Sequence, residues 1–120
     1  IFKLRTEHPD WGGQFDFLVD IQVFHAIYQL GTPHLVRSYA DLLRKGGVAL
    51  VVAGNDREGR GDGSGPTRLS KDDLVEYFTS DGYFRVAQIM ESRFDATPAY
   101  GDRNESPLCW VCLFVRTGRM

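Results

Sequence analysis

The sequence has few cysteines, a small net charge and no long apolar run. Its net charge is only −2 at pH 7, which provides no strong field to attract nucleic acid or anionic lipid. No apolar run approaches the roughly 20 residues that a membrane-spanning helix needs. Residues 1–5 (IFKLR) lack the apolar core and the small-residue cleavage site of a secretory signal. We therefore expect one compact cytoplasmic domain with neither a nucleic-acid nor a membrane partner.

The two cysteines, Cys109 and Cys112, have the C-x-x-C spacing that zinc and redox sites use in other proteins. They fall in the apolar run of residues 108–115, which predicts a buried strand. Side chains three residues apart on a strand point to opposite faces, so the two sulfurs would diverge. The histidines that a zinc site would also need are scattered: His8, His25 and His34. The pattern favours two buried apolar side chains and no metal site.

The first half of the chain has the pattern of a strand, a helix and a second strand. Residues 15–19 (FDFLV) predict a buried strand. A helix follows, with Thr32 as its N-cap, Pro33 at its first position and Gly46 as its left-handed C-terminal cap. Residues 48–53 (VALVVA) are apolar without alternation, which is typical of a parallel strand covered on both faces. This order predicts a βαβ unit.

The second half predicts one further helix and two more strands. A glycine-rich loop covers residues 54–69, and a loop of this length is usually functional or mobile. Ser70 is a good N-cap for the helix that follows, and Gly82 marks its end. Residues 84–94 and 108–116 predict strands joined by a polar connection without room for a helix, so they should pair antiparallel.

Two stretches resemble motifs of class I S-adenosylmethionine-dependent methyltransferases. Residues 15–20 (FDFLVD), followed by Phe24 and His25, resemble the fourth strand of that family. Residues 42–47 (LLRKGG) resemble the turn that enters its fifth strand. The resemblance implies an α/β fold, the C-terminal half of a Rossmann-like methyltransferase sheet. Its family strands would lie in the order 4-5-7-6, with the last strand antiparallel and with flanking helices.

Three later stretches are similar to the smaller methyltransferases grouped with thiopurine methyltransferases. They are residues 65–70 (GPTRLS), 91–94 (ESRF) and 109–110 (CW). The family's first three strands and its glycine-rich turn belong before strand 4, and here only residues 1–14 precede that strand. We therefore expect residues 1–120 to be a partial methyltransferase domain that contains family strands 4–7.

The resemblance also implies where the cofactor would bind. Ligands of open α/β sheets lie beyond the carboxyl ends of the strands. The residues that match Asp20, Ile21 and Gln22 lie beside the methionine portion and the sulfonium of S-adenosylmethionine in the family. Ile1 belongs to the segment that passes the adenine ring. A carboxylate near a sulfonium is electrostatically sensible, and the alternative for Asp20 is that it caps the following helical turn; both roles are compatible.

The predicted substrate contacts are Phe24, His25, Asn55 and Arg68. Phe24 and His25 would face the methyl-transfer region, where His25 is a candidate general base because its ordinary pKa is near 6.5. The alternative is a packing or hydrogen-bonding histidine. Amino-group methyltransferases carry an Asn/Asp-Pro-Pro-aromatic turn where this chain has residues 20–24 (DIQVF). Methylation of a base or an amide is therefore disfavoured, and a small-molecule acceptor is preferred.

Three functional hypotheses follow. The first is methyl transfer from S-adenosylmethionine to a small molecule, such as a thiol or a related soft acceptor, by a complete parent protein, with little activity in residues 1–120 alone. The second is a non-catalytic half-domain that forms a homodimer or pairs with an N-terminal half through the strand at residues 15–19, whose edge would otherwise be exposed. The third, half of a nicotinamide dehydrogenase, fails if the last two strands are antiparallel.

Overall fold

The computed structural model describes residues 4–21, 23–27, 31–56, 68–93 and 108–119. Within them the chain forms a single mixed sheet with helices packed against it. The elements are, in chain order, α1 (Leu4–Glu7), a 3-10 turn (Pro9–Trp11), β1 (Phe15–Ile21), α2 (Phe24–Ile27), α3 (Thr32–Leu42), β2 (Leu43–Asn55), β3 (Arg68–Leu69), α4 (Lys71–Thr79), β4 (Phe84–Arg93) and β5 (Leu108–Arg116). No helix among these residues combines the length and the apolar character that crossing a membrane requires.

The sheet has the strand order β1-β2-β5-β4, with the short β3 beside β2. β1 is parallel to β2, whereas β5 is antiparallel to both β2 and β4. This confirms the predicted α/β fold and the predicted order, because β1, β2, β4 and β5 correspond to family strands 4, 5, 6 and 7. Because β4 and β5 are antiparallel, the hypothesis that the chain is half of a nicotinamide dehydrogenase is also excluded.

The entry to β2 differs from the prediction. Gly46 was expected to cap α3, but the helix ends at Leu42 and Leu43 is already extended. Gly46 has a φ of 82°, which glycine adopts without strain, and it lies inside β2. The pairing register shifts here, from Phe15 opposite Leu43 to Phe17 opposite Val48. The glycines therefore form a bulge within the strand and do not end the helix.

The start of α3 also differs by one residue from the prediction. Thr32 is the first helical residue and not the N-cap, so Pro33 occupies the second position. The N-cap is Gly31, whose φ of 143° lies in a region that other residues rarely adopt. Its carbonyl accepts the first helical hydrogen bond, from Leu35 N at 3.0 Å. The backbone freedom of glycine therefore displaces the threonine from the cap.

The predicted start of α4 is confirmed. Ser70 is the N-cap, and its Oγ accepts a hydrogen bond from Asp73 N at 3.0 Å. The helix ends at Thr79, three residues before the predicted stop. Gly82, with a φ of 79°, instead closes the following turn by donating its N–H to Thr79 O at 3.0 Å.

The hydrophobic core lies on the face of the sheet that α3 and α4 cover. Phe78 of α4 is at its centre: the ring stacks on Phe114 with centroids 4.2 Å apart, and it also contacts Phe24 and Phe84 at 4.9 and 5.8 Å. All four side chains are buried. Offset and edge contacts of this kind stabilise aromatic cores beyond the area that they bury.

The opposite face of the sheet carries an exposed apolar row on β1. Phe17, Val19 and Ile21 alternate along one face and are 52%, 51% and 56% exposed. Their partners on β2 are Val48, Leu50 and Val52, which continue the apolar face inward and are half-buried. Parallel strands are normally covered on both faces. In the described part of the chain, nothing covers this row.

Candidate functional site

The candidate site is the edge of the sheet where β1 and β2, being parallel, both end. Among the described residues only two polar or charged side chains are buried, and both lie at this edge. They are Asp20, 3% exposed near the end of β1, and Asn55, 0% exposed at the end of β2. Buried polar groups of this kind require hydrogen-bond partners.

Asp20 is held by three neutral donors. Its Oδ1 accepts hydrogen bonds from the backbone N–H groups of Val23 and Phe24, at 2.9 and 3.1 Å. Its Oδ2 accepts a hydrogen bond from the hydroxyl of Tyr39. The first two bonds cap α2, which confirms the predicted capping role. Within the described residues no lysine, arginine or histidine forms an ion pair with this carboxylate, so its negative charge has no cationic partner there.

Tyr39 reaches Asp20 from α3 and is itself buried. Burial raises the pKa of its phenol far above the ordinary value near 10, and the hydrogen bond to Asp20 and the negative charge of that carboxylate raise it further. The phenol therefore keeps its proton and remains a donor. It is unsuited to act as a base at neutral pH.

The other predicted residues after β1 have different surroundings. Ile21 points away from Asp20 and is exposed. Phe24 is fully buried against Phe78 and Tyr77, with ring centroids 4.9 and 6.2 Å away. Its predicted contact with a substrate has no support in this packing and stays a prediction.

For four of the predicted site residues, the structure describes the backbone alone or neither backbone nor side chain. Ile1 and Gln22 lie outside the described residues. The backbones of His25, in α2, and Arg68, in β3, are described, but their side chains are not. Their roles toward cofactor or substrate stay predictions.

Asn55 connects three strands at the end of β2. Its Nδ2 donates to Glu91 Oε2 of β4 at 3.1 Å and to the carbonyl of Cys109 in β5 at 3.5 Å. Glu91 was not among the residues predicted for the site, although it belongs to the ESRF motif. A carboxylate on the strand next to β5 was the available signal, but only the antiparallel register places it beside Asn55.

Trp110 and β3 hold the end of the glycine-rich loop against the sheet. Arg68 and Leu69 pair with Gly54 and Asn55, and Leu69 O accepts a hydrogen bond from Trp110 Nε1 at 2.8 Å. Trp110 is buried, so its indole is part of the core and not an exposed stacking surface.

The two cysteines are buried free thiols. Burial raises the pKa of Cys112 to about 12, with a further contribution from Cys109, and burial also raises the pKa of Cys109. Both therefore keep their protons at neutral pH, whereas metal ligation and nucleophilic attack require the thiolate. Across the described ranges, no group of three or more His, Cys, Asp or Glu side chains could hold a metal ion.

Solved structures with this architecture are S-adenosylmethionine-dependent methyltransferases and proteins of the same fold. A structure described under the conversion of a disulfide bond into a thioacetal group during echinomycin biosynthesis superposes with a TM-score of 0.73 at 17% identity, covering 92% of this chain and 52% of that chain. A methyltransferase from Methanosarcina mazei gives 0.67 at 11% identity, covering 88% and 61%. The [4+2]-cyclase SpnF gives 0.62 at 14% identity, covering 89% and 52%. No family model matches the sequence, and no curated protein matches it.

The fold is therefore a partial Rossmann-like methyltransferase fold of class I. The chain spans about half the length of the structures that it resembles. At these identities the likeness shows the fold alone, and the cyclase illustrates that one fold supports more than one chemistry. The activity therefore has to be argued from the site.

Proposed function

We propose that this chain is the C-terminal half of a methyltransferase that moves the methyl group of S-adenosylmethionine to a small-molecule acceptor. The observation that carries the proposal is the charge of Asp20. Its carboxylate is buried at the carboxyl end of β1, and its three described partners are neutral donors. A buried negative charge without a cation favours a positively charged ligand. The sulfonium of S-adenosylmethionine is such a cation.

The residues around Asp20 divide into a cofactor side and an acceptor side in this proposal. Ile1, Ile21 and Gln22 join Asp20 on the cofactor side, as the family resemblance implies. S-adenosylmethionine supplies a methyl group that is already reactive, so the protein has mainly to align the incoming nucleophile. The exposed position of Ile21 is compatible with contact to a ligand.

In this proposal the acceptor side consists of Phe24, His25, Asn55 and Arg68. His25 either removes a proton from the acceptor or orients it by hydrogen bonding. Asn55 is fully buried and bonded to Glu91, so it would position the exposed Glu91 carboxylate more readily than touch an acceptor itself.

We further propose a thiol or related soft acceptor, a relation to the thiopurine-methyltransferase group and a cytoplasmic location. The three motifs at residues 65–70, 91–94 and 109–110 support the subgroup. One structural neighbour is described by sulfur chemistry, the conversion of a disulfide bond into a thioacetal group. A soft sulfur nucleophile also needs little activation by the protein.

Replacing Asp20 by asparagine tests the proposal. The amide oxygen can still accept the two backbone N–H bonds, but the negative charge is lost. In calorimetric titrations of the complete protein that contains this chain, we expect D20N to weaken S-adenosylmethionine binding about tenfold, roughly 1.4 kcal/mol. Binding of S-adenosylhomocysteine should change little, because its sulfur is neutral.

The matched control is Asp16→Asn, which removes a carboxylate from the same strand. Asp16 is exposed and pairs with Arg44, so D16N should leave the affinity for both ligands unchanged. Equal weakening of both ligands by D20N would mean that Asp20 only shapes the loop. Unchanged binding of S-adenosylmethionine would contradict the proposal.

A second candidate function rests on the exposed row of β1. Phe17, Val19 and Ile21 are each more than half exposed on a strand at the edge of the described sheet. Exposed apolar edges of this kind are rarely left without a partner. We propose that β1 pairs either with a second copy of this chain or with an N-terminal half of the same fold, and in the first case the chain is a homodimeric interaction module.

A further inference from the structure

Three arginine side chains surround one tyrosine ring at the opposite end of the sheet from Asp20. Tyr83 is 6% exposed. The guanidinium carbons of Arg37, Arg116 and Arg119 lie 5.7, 5.3 and 4.8 Å from the centroid of its ring. They come from α3, from the end of β5 and from the segment after β5. Distances of this size are typical of cation–π contacts.

Each of the three positive charges lies within 5.7 Å of the centroid of the same ring. The spacing between any two of them is therefore at most comparable to the Debye length of about 10 Å, so salt screens their repulsion incompletely. The hydrogen bonds that fix two of them are made to uncharged groups. Arg116 donates to the carbonyls of Ala40 and Thr117, at 2.9 and 2.8 Å, and Arg119 donates to the backbone carbonyl of Asp81. Their mutual repulsion is therefore offset by dipoles and by a π face.

No carboxylate in the described ranges forms an ion pair with Arg37, Arg116 or Arg119; the described ion pair, Arg44 with Asp16, lies elsewhere. Asp81 contributes only its carbonyl oxygen. Three clustered cations without an anion favour binding of an anionic ligand.

Lys45 adds a fourth positive charge beside the arginine cluster, and Arg37 provides N–H groups for a ligand. Lys45 lies beside Gly118, the residue before Arg119: a Cβ placed on Gly118 would be 3.6 Å from Lys45 Nζ. Arg37 is exposed, and among the described residues its guanidinium lies over the Tyr83 ring and forms neither a hydrogen bond nor an ion pair. Its N–H groups are thus available to a ligand, in the fork geometry that matches two oxygens of a phosphate.

The cluster is separate from the Asp20 site. Arg116 follows Val115, which pairs with Val48 at the beginning of the regular part of β2, whereas Asp20 pairs with Val51 and the buried Asn55 ends the strand. Along β2, Val48 and the partner of Asp20 are separated by about 10 Å, and Val48 and Gly54 by about 20 Å.

We propose that Arg37, Arg116, Arg119 and Lys45 form a binding site for a phosphate-type oxyanion. The shared chemistry is a compact dianionic group, either free phosphate or the phosphoryl group of a small metabolite. Arg37 and Arg119 donate hydrogen bonds to its oxygens, and Arg116 and Tyr83 hold these two arginines in place. This inference does not depend on the proposed methyl transfer.

Titration of the chain with inorganic phosphate, with pyrophosphate and with phosphoserine tests the site, at low and constant ionic strength. We expect saturable binding of at least one phosphate probe in the millimolar range or tighter, and a loss of at least tenfold in Arg37→Gln. Arg37 is exposed and its guanidinium lies over the Tyr83 ring without a described hydrogen bond or ion pair, so R37Q should fold, which circular dichroism verifies. Tighter binding of phosphoserine than of inorganic phosphate would identify a phosphoryl metabolite as the source.

The matched control is Lys71→Gln, which removes an exposed cation from the start of α4 at the other end of the sheet. It should leave the affinity for phosphate unchanged. Three outcomes would overturn the proposal: no saturation by any probe, equal losses in R37Q and K71Q, or competition by chloride as effective as that by phosphate. Each of them would reduce the cluster to a non-specific positive surface.

Discussion

At the scale of single residues, the contact between Asp20 and Tyr39 organises the candidate site. The two residues are 19 positions apart in the chain, yet α3 places the phenol on the free oxygen of the capping carboxylate. The bond is charge-assisted and buried, and such bonds stabilise more than neutral ones do. It fixes the end of β1 and the start of α2 together.

Replacing Tyr39 by phenylalanine should therefore destabilise the chain. The substitution keeps the ring in the core but removes one of three donors from a buried carboxylate. The expected loss is about 1–3 kcal/mol in the free energy of unfolding at neutral pH. Urea unfolding followed by circular dichroism measures it, and Tyr83→Phe is the matched control because its hydroxyl has no hydrogen-bond partner among the described residues. Equal losses in both variants would contradict the role given to the Tyr39 hydroxyl.

The contact between Asp20 and Tyr39 should also make the free energy of unfolding depend on pH. The folded pKa of Tyr39 is raised above its unfolded value near 10. The unfolded chain therefore releases this proton first, so the stability that the pair contributes is complete below about pH 10 and is lost as the pH rises further. The wild-type chain should lose more stability than Y39F does over that range.

Residue-level prediction from the sequence succeeded where the contact is local. The capping role of Asp20 and of Ser70 depends on backbone N–H groups three or four residues away. The partners Tyr39 and Glu91 depend on how a helix is rotated and on which strands are neighbours, which no local pattern contains.

At the scale of elements, β1 and β2 differ most from what their sequences suggest. β1 continues to Ile21 and β2 begins at Leu43, so both are longer than the predicted runs of residues 15–19 and 48–53. The extra length comes from pairing, since the bulge around Gly46 lets polar residues continue the ladder. Apolar periodicity reports burial, and these strand ends are not uniformly buried.

The exposed row of β1 leads to a prediction at this scale. Val19→Lys puts a charge at the middle of the row, and charges on an edge strand oppose pairing with another strand. We expect the wild-type chain to associate with increasing concentration in multi-angle light scattering, and V19K to shift toward monomer.

The control for V19K is Met90→Lys, which replaces an exposed apolar residue of β4 at the opposite edge of the sheet. It should associate as the wild-type chain does. A wild-type chain that stays monomeric at all concentrations would rule out the homodimer, and equal effects of the two variants would show that association does not involve β1 specifically.

At the scale of the whole molecule, the chain corresponds to one part of a larger fold. It covers most of its own length against the neighbours but only 52% to 61% of theirs. In the described residues, Asp20 is the one buried charge at the carboxyl ends of β1 and β2. A single carboxylate provides only a small part of the contacts that a ligand of the size of S-adenosylmethionine needs.

We therefore expect residues 1–120 alone to bind S-adenosylmethionine weakly and to have little methyltransferase activity. Isothermal calorimetry on this chain should show no saturation at micromolar ligand. Adding an N-terminal half of the same fold should restore binding if β1 pairs with it. Micromolar binding by the chain alone would contradict this prediction.

The amino-acid sequence by itself determined the order of the elements, the βαβ unit and the antiparallel final pair, because apolar runs, capping residues and connection lengths are local properties. The likeness of residues 15–20 and 42–47 to methyltransferase motifs extended this to the strand order. Only the tertiary structure decided that Asp20 meets Tyr39, that Asn55 meets Glu91 and that three arginines surround one ring. These contacts depend on register and helix orientation, which result from packing the whole chain.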